Sequence, residues 1–289
     1  MIKFGKWLLY GIYTVAIAAF FLYYLFPSET VKKYIVARAG SLNPEIRVSI
    51  DDVTPVFSHG LRLHAVQLEY RSRDLLDAEE IVIVPDLLSL LSANPSFAFH
   101  IKALGGGVKG DVEITRRQPQ GRIKMNAEIA AVRLENTPSV RRFFENRLTG
   151  ICSGTIIYTG GPGQGRTLNA LLSVAEVTVR LNEPVFGMAE IAFDSVAAEV
   201  TLRNRQLKIS RLMLQGDQFD GEFAGSGVIR EDFDDSPINL SGTITPQSKF
   251  MQGSGLNISG TAIAGSAGGG GQIPVKISGP LGDIRLSLK

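Results

Sequence analysis

The sequence has too little of several residue types for some common protein classes. Of its 289 residues only one, Cys152, is a cysteine, so no intrachain disulfide can form. We interpret this cysteine as a small buried residue rather than as a reactive thiol. Neither sign of charge predominates, since 30 Lys and Arg residues stand against 28 Asp and Glu residues. This balance gives no electrostatic reason to expect nucleic acid as a partner.

Motifs of catalysis and of metal or cofactor binding are also missing. His59, His64 and His100 have no Cys, Asp or Glu at metal-ligand spacing, so we expect solvent-facing or hydrogen-bonded roles for them. Residues 160–166 (GGPGQGR) resemble a phosphate loop, but no Lys-Ser or Lys-Thr pair follows, which favours a hairpin turn. Residues 231–235 (EDFDD) lack the spacing of a calcium loop and indicate a solvated turn. We assign no catalytic, cofactor-binding or metal-binding residue and expect a protein that is not an enzyme.

What the sequence has instead is glycine and strand-forming residues. Its 31 glycines and its high content of Val, Ile, Leu and Phe favour strands and tight turns over disorder or a helical bundle. Apolar and polar residues alternate at residues 61–65 and 97–103, which predicts half-buried strands. The same alternation returns at residues 108–114, 123–129, 178–181, 196–202, 207–214, 238–244 and 284–288. The chain is therefore predicted to be mainly β.

Residues 7–26 (WLLYGIYTVAIAAFFLYYLF) form a run without charge. A helix of this length, at about 1.5 Å per residue, matches the roughly 30 Å hydrocarbon core of a bilayer. Aromatic residues at both ends, among them Trp7 and Tyr24, suit the headgroup level. A cleavable signal peptide would have a shorter apolar run and a small-x-small site, whereas Pro27 follows here. We predict a retained transmembrane helix.

The order of segments follows from this span. Basic residues flank it on both sides, so their count does not fix its orientation. We predict a cytoplasmic tail at residues 1–6, because so short a flank leaves the long C-terminal part to be exported. A juxtamembrane helix is predicted at residues 27–42, with Ser28 as its N-cap and Gly40 as its stop. The β-rich domain is then expected at residues 43–289.

Two further helical segments interrupt the predicted strands. Thr137 and Pro138 can open a helix that carries Val140, Phe143, Phe144 and Leu148 before Gly150 ends it. A shorter helix or turn is expected around residues 85–91.

A weak repeat of the form apolar-x-Gly-x-apolar centres on Gly110, Gly221 and Gly242, with a degenerate copy at Gly260. A mid-strand glycine lies on the face opposite its two immediate neighbours, where it lets a sheet bend or another backbone approach. The repeat predicts a strongly curved sheet, although simple abundance of glycine is the alternative. Residues 253–271 are glycine-rich and indicate a flexible connection, followed by a last hairpin around residues 279–280.

Several stretches together resemble the type II secretion system protein N family. They are the uncharged span, the helix after it, residues 53–68 (VTPVFSHGLRLHAVQL), residues 87–91 (LLSLL) and residues 105–110 (GGGVKG). They are also similar to the wider AsmA-like group, whose members carry an N-terminal anchor and a curved sheet with an apolar concave face. The resemblance implies a mostly antiparallel half-pipe or sandwich, an inner-membrane location with the domain in the periplasm, and contact with other secretion-system proteins. It transfers no catalytic residue.

Two functions remain open at this stage. The first is a structural or assembly subunit of the secretion apparatus, which contacts the lipid bilayer through residues 7–26 and other proteins through sheet edges or an apolar face. The second is a lipid-handling protein whose sheet cradles acyl chains. An enzyme acting on envelope polymers would need paired carboxylates in a cleft, and no spacing indicates such a pair.

Overall fold

In a computed structural model of the protein, the described residues are 10–11, 13–14, 17, 20–21, 24–56, 59–71, 73–115, 121–143, 147–161, 164–185, 188–232, 234–247, 272–282 and 284–288. The chain divides into two compact units, Met1–Pro85 and Asp86–Lys289. Strands predominate in both units, which confirms the mainly β class that the alternation predicts.

The first unit begins with the apolar run. The described residues between 10 and 24 have helical backbone, and the rings of Phe20 and Tyr24, one turn apart, stack with their centroids 5.9 Å from each other. Only part of the predicted span at residues 7–26 lies within the described residues, so the transmembrane assignment stays a prediction. Among the described residues, no helix combines the length and the apolar character that crossing a bilayer requires.

The predicted juxtamembrane helix at residues 27–42 is present as α1 (Ser28–Leu42), but the predicted N-cap and stop residues are wrong. Its N-cap is Pro27 rather than Ser28, because the Pro27 carbonyl already accepts a hydrogen bond from the Val31 N–H at 3.1 Å. The helix also runs through Gly40, since a glycine inside a helix costs only about 1 kcal/mol.

Four antiparallel strands complete the first unit. They are β1 (Ile46–Ser49), β2 (Asp52–Val56), β3 (Gly60–Tyr70) and β4 (Arg73–Pro85). Strand β3 pairs with each of the other three, and α1 packs against β1 and β2. Val53, Leu63 and Ala78 are buried between these elements and form the core of the unit. The alternation at residues 61–65 falls in β3, as predicted.

The second unit is built on an antiparallel meander in which each strand pairs with the next along the chain. Its strands are β5 (Ser96–Ala103), β6 (Gly106–Thr115), β7 (Arg122–Arg133), β8 (Leu148–Gly161), β9 (Gln164–Val185), β10 (Met188–Arg203), β11 (Gln206–Gln215), β12 (Phe219–Val228), β13 (Pro237–Pro246), β14 (Ile273–Pro280) and β15 (Arg285–Leu288). The sheet is curved and open, which settles the choice between half-pipe and sandwich in favour of an open sheet. Among the described residues, β15 pairs with β14 alone.

The helices of the second unit are short and lie between strands. Helix α2 (Leu87–Leu90) confirms the turn expected around residues 85–91. The longer predicted helix is present only as α3 (Pro138–Phe143), which follows a 3-10 turn at Leu134–Asn136. The prediction that Leu148 and Gly150 continue it is wrong, because both belong to β8, where Leu148 pairs with Val179 of β9.

The C-terminal part ends in a hairpin. Strands β14 and β15 pair directly, with the turn at Leu281 and Gly282, just after the predicted Gly279 and Pro280. The predicted hairpin is thereby confirmed. The glycine-rich stretch at residues 253–271, which includes the Gly260 copy of the repeat, lies outside the described residues.

Candidate functional site

One face of the second sheet carries three apolar rows that run across strands β5–β14. Each row holds ten residues, one from each strand, and neighbours in a row are direct cross-strand partners. The first row is Ile101, Val108, Ile129, Gly154, Leu172, Ala198, Leu212, Phe223, Gly242 and Val275. The second row is Phe99, Gly110, Ala127, Ile156, Ala170, Val200, Ile209, Gly225, Leu240 and Ile277. The third row is Phe97, Val112, Met125, Tyr158, Leu168, Leu202, Leu207, Gly227, Ile238 and Gly279.

We call these thirty residues the apolar face. None of them carries a charge, and each is buried or half-buried. Neighbouring strands lie about 4.8 Å apart, so a row across ten strands extends for about 43 Å. Helix α3, with six residues, is only about 9 Å long and α2 is shorter still, so neither could cover such a face.

Glycines of the predicted repeat sit within the apolar face and are covered by aromatic rings. Phe99 is the cross-strand partner of Gly110, and Phe223 is the partner of Gly242. A Cβ atom at Gly110 would lie 2.9 Å from Cζ of Phe99, and one at Gly242 would lie 2.6 Å from Cδ1 of Phe223. The absence of a side chain therefore lets each ring lie flat against the neighbouring strand, a known way of stabilising a strand glycine.

The opposite face of the same strands is polar and solvent-exposed. One of its rows is His100, Lys109, Glu128, Thr155, Leu171, Glu199 and Arg211, and each of these residues is exposed. Lys109 and Glu128 form an ion pair of 3.1 Å across β6 and β7. Arg211 pairs with Glu222 at 3.2 Å. The alternation along each strand thus separates an apolar surface from a charged one.

A shallow concavity of about 490 Å³ lies over the middle of strands β8–β11. It is lined by Ser153, Gly154, Leu171, Leu172, Ser173, Ala197, Ala198, Glu199, Arg211 and Met213. Two of these residues, Glu199 and Arg211, are charged, and they are cross-strand partners. The lining supplies mainly apolar contact and hydroxyl groups, so it can accommodate a small apolar group.

The residues that the sequence singled out are spread over the fold. His64 lies 3.5 Å from the Thr54 hydroxyl, His100 is exposed on β5, and His59 is exposed in the turn before β3, so the expected roles are confirmed. Within the described part of the chain, no three His, Cys, Asp or Glu residues lie close enough to hold a metal ion. Cys152 is buried on β8, as expected, and burial raises the pKa of its thiol.

The described residues of the two stretches that could be mistaken for ligand sites lie in strand ends, bends and turns. Gly161, the last residue of β8, pairs with Gln164, the first residue of β9, so these strands form the predicted hairpin. The described residues between 231 and 235 are exposed in bends and turns, as expected of a solvated turn. Glu231 forms an ion pair with Arg205 at 3.2 Å, and the Asp234 carbonyl accepts from the Gly282 N–H at 2.9 Å.

The sequence pattern did not predict that β8 contributes residues to the apolar face. The signal was present, because Gly154, Ile156 and Tyr158 recur at a spacing of two, but Ile157 between them is also apolar and hides the alternation.

Comparison of the chain with protein-family models, with curated proteins and with solved structures finds no match.

Proposed function

We propose that the protein is a non-enzymatic, single-span component of the type II secretion system in the inner membrane, with its β-rich domain in the periplasm. The observation that carries the proposal is the apolar face, thirty uncharged residues held in register across ten strands. Neither α2 nor α3 is long enough to cover this face, and an apolar sheet face without covering helices is typical of a surface that binds a partner or lipid. Such a surface offers contact area rather than an acid, a base or a nucleophile, so it favours binding over turnover.

The membrane anchor of the proposal is supported by the N-terminal run. Residues 7–26 carry no charge, and the described residues between 10 and 24 are helical. Tyr10, Phe20 and Tyr24 are 66%, 61% and 76% exposed, an aromatic surface that water solvates poorly. A bilayer would cover these rings at its core and interface.

The secretion assignment is supported by the resemblance of residues 53–68, 87–91 and 105–110 to the protein N family. In the fold these stretches form β2 and β3, helix α2, and the start of β6. The sheet also provides a route to protein contacts, because β15 has one unpaired edge within the described residues and an edge strand can accept a strand from a partner.

The test uses two adjacent leucines on opposite faces of β9. Leu172 belongs to the apolar face, whereas Leu171 is 58% exposed on the polar face. In the native host, deletion of the gene should abolish secretion of folded enzymes by the type II pathway. The full chain with Leu171→Lys should restore secretion, and the chain with Leu172→Lys, present at equal level in the membrane, should not. Normal secretion by the deletion strain would refute the proposal.

A second function, lipid handling of the AsmA-like kind, is favoured by one observation. The rows of the apolar face run without a charged residue for about 43 Å, a path that suits extended acyl chains as well as protein side chains. A photo-reactive phenylalanine analogue placed at position 172 in cells distinguishes the two. Cross-links to secretion-system proteins favour the first function, and cross-links to phospholipid favour the second. The same probe at position 171 provides the background.

A further inference from the structure

The loop end of the second sheet where β5 begins exposes leucines before β5 and arginines two to five strands farther along. We call Leu87, Leu88, Leu91, Arg122, Arg166 and Arg203 the arginine–leucine end. Arg122 is the first residue of β7 and pairs with Thr115, the last residue of β6. Arg203 is the last residue of β10, and Arg166 lies near the start of β9. Because the strands alternate in direction, these positions all fall at the same end of the sheet.

The leucine turn is held in place by hydrogen bonds rather than by burial of its leucines. The Asp86 carboxylate accepts from the Leu88 N–H at 3.0 Å, and the Ser89 hydroxyl accepts from the Ser96 N–H at 2.8 Å. Pro95, next to it, is fully buried and its carbonyl accepts from the Ile114 N–H at 2.9 Å. The turn is thus fixed to the ends of β5 and β6.

This fixed turn presents its leucines to the outside. Leu88 is 82% exposed and Leu91 is 90% exposed, and Leu87 is 49% exposed. Large apolar side chains that a well-bonded turn holds away from the core are typical of a contact surface. The turn does not belong to the apolar face and needs an explanation of its own.

The arginines lie farther along the same end, on β7, β9 and β10, which at about 4.8 Å per strand is about 10, 19 and 24 Å from β5. They are exposed and have no acidic partner among the described residues. Within the described residues, Arg122, Arg166 and Arg203 form no ion pair. Two adjacent hairpins are locked together here, because the Arg166 N–H donates to Asn204 Oδ1 at 3.0 Å and the Asn204 N–H donates to the Arg166 carbonyl at 2.7 Å. These two hydrogen bonds hold the Arg166 backbone next to the end of β10, where Arg203 lies.

Acidic residues of this loop end lie on both sides of the arginines. Asp86 caps the leucine turn, and Glu113 is the cross-strand partner of Lys124. The cluster at residues 231–235 lies at the β12–β13 connection, where Glu231 already pairs with Arg205. The unpaired arginines therefore occupy the stretch from β7 to β10, between the leucine turn and the acidic cluster.

We propose that the arginine–leucine end docks on the surface of a bilayer that contains anionic phospholipid. The leucine turn enters the interface, where apolar side chains leave water, and the guanidinium groups bind lipid phosphates with paired hydrogen bonds. A protein partner would have to supply both an apolar pocket for the protruding leucine turn and acidic groups for the arginines. An anionic bilayer surface supplies an apolar interface and phosphate groups together. This contact is separate from the predicted anchor at residues 7–26 and does not depend on the secretion assignment.

The test places a fluorescent reporter in the leucine turn of the full chain. The variant Trp7→Phe/Leu88→Trp has a single Trp, at position 88. It is reconstituted in nanodiscs, with acyl-brominated lipid present in the discs and in added vesicles, either all phosphatidylcholine or with phosphatidylglycerol included. We expect a blue shift and quenching of the Trp emission only with phosphatidylglycerol, and a loss of both in high salt.

Matched variants locate the contact. Arg122→Gln/Arg166→Gln/Arg203→Gln should weaken the apparent affinity for anionic lipid about a hundredfold, at about 1 kcal/mol per basic residue. Lys102→Gln/Lys109→Gln/Lys276→Gln removes the same charge from exposed strand positions away from this end and should leave the affinity unchanged. Far-UV circular dichroism checks that both variants fold. An unquenched, unshifted Trp in anionic lipid overturns the proposal, and so does an equal loss in the arginine and lysine variants.

Discussion

Phe223 of β12 and Gly242 of β13 are direct cross-strand partners, and the phenylalanine ring occupies the space that any side chain at position 242 would need. Phe223 is only 2% exposed although no described helix packs over it. Its ring also lies close to Gly221 of its own strand. Contact with two strand glycines therefore contributes to its burial.

The first prediction concerns this close approach. Gly242→Ala should lower the free energy of unfolding by about 1–3 kcal/mol, because the new Cβ would lie 2.6 Å from Cδ1 of Phe223 and still closer to the Glu222 carbonyl. Urea unfolding followed by circular dichroism measures the change. Gly165→Ala is the control, since its Cβ would meet nothing nearer than Asn204 Oδ1 at 3.8 Å. Equal stability of the two variants would contradict the contact.

A second prediction separates the ring from the strand backbone. If the Phe223 ring is the main obstacle, Gly242→Ala should cost less in a Phe223→Leu background than in the natural chain. The difference should amount to about 0.5–3 kcal/mol, the usual range of coupling for residues in contact. The reference cycle combines Gly242→Ala with Leu171→Ala, an exposed residue on the opposite face. Additive values in both cycles would assign the strain to the backbone of β12 alone.

The third prediction concerns the buried thiol. Burial raises the pKa of Cys152, so alkylation by iodoacetamide at about pH 8 should be at least about tenfold slower in the folded chain than in urea. Above the ordinary pKa of a thiol, the unfolded state loses its proton while the folded state keeps it. Stability should therefore fall as the pH rises through this window. Cys152→Ala should remove that fall, and an unchanged pH dependence in this variant would place its cause elsewhere.

The fourth prediction concerns a surface pair of the first unit. The Arg71 guanidinium donates to Glu45 at 2.8 Å and, with a smaller effect of Tyr70, lowers the pKa of that carboxyl. A lowered pKa contributes stability above the ordinary carboxyl pKa, and the contribution is lost as the pH falls through the lowered value. Arg71→Gln should move the pKa of Glu45 up towards the ordinary range in a carboxyl NMR titration. Arg47→Gln, a change of equal charge on β1, should leave it in place.

Strands with one solvent-exposed face could be predicted from the sequence, because apolar and polar residues alternate along them. Phe97, Phe99 and Ile101 alternate with exposed residues, and β5 lies where that alternation predicts. Strand β4 was missed because its second half, residues 81–84 (IVIV), is an unbroken apolar run without alternation. The helix predicted up to Gly150 fails for a different reason: Leu148 has helical spacing to Val140, but its pairing with Val179 is a long-range contact that no local pattern contains.

The candidate site is predictable in kind but not in layout. The repeat around Gly110, Gly221 and Gly242 predicts a bend of the sheet or the approach of another backbone. A Cβ atom would meet a backbone carbonyl of the neighbouring strand at Gly110 and at Gly242, which confirms the prediction there, whereas at Gly221 it would meet the side chains of Phe223 and Leu214. Which ring covers which glycine depends on the register of two strands. Phe223 stands nineteen positions before Gly242 in the chain, and only the pairing of β12 with β13 makes them neighbours. The arginine–leucine end has the same origin, since strand direction alone brings its residues together.

The meander has a consequence for how the second unit can assemble. From β5 to β15, each strand needs only the strand before it as a template, so the contacts stay short along the chain, apart from the step between β13 and β14. A polypeptide that emerges amino end first could add one hairpin after another without waiting for its last residues. Unfolding by force or heat would proceed in the opposite order. The final hairpin, β14 and β15, would open first, and the strands before it would follow one after another.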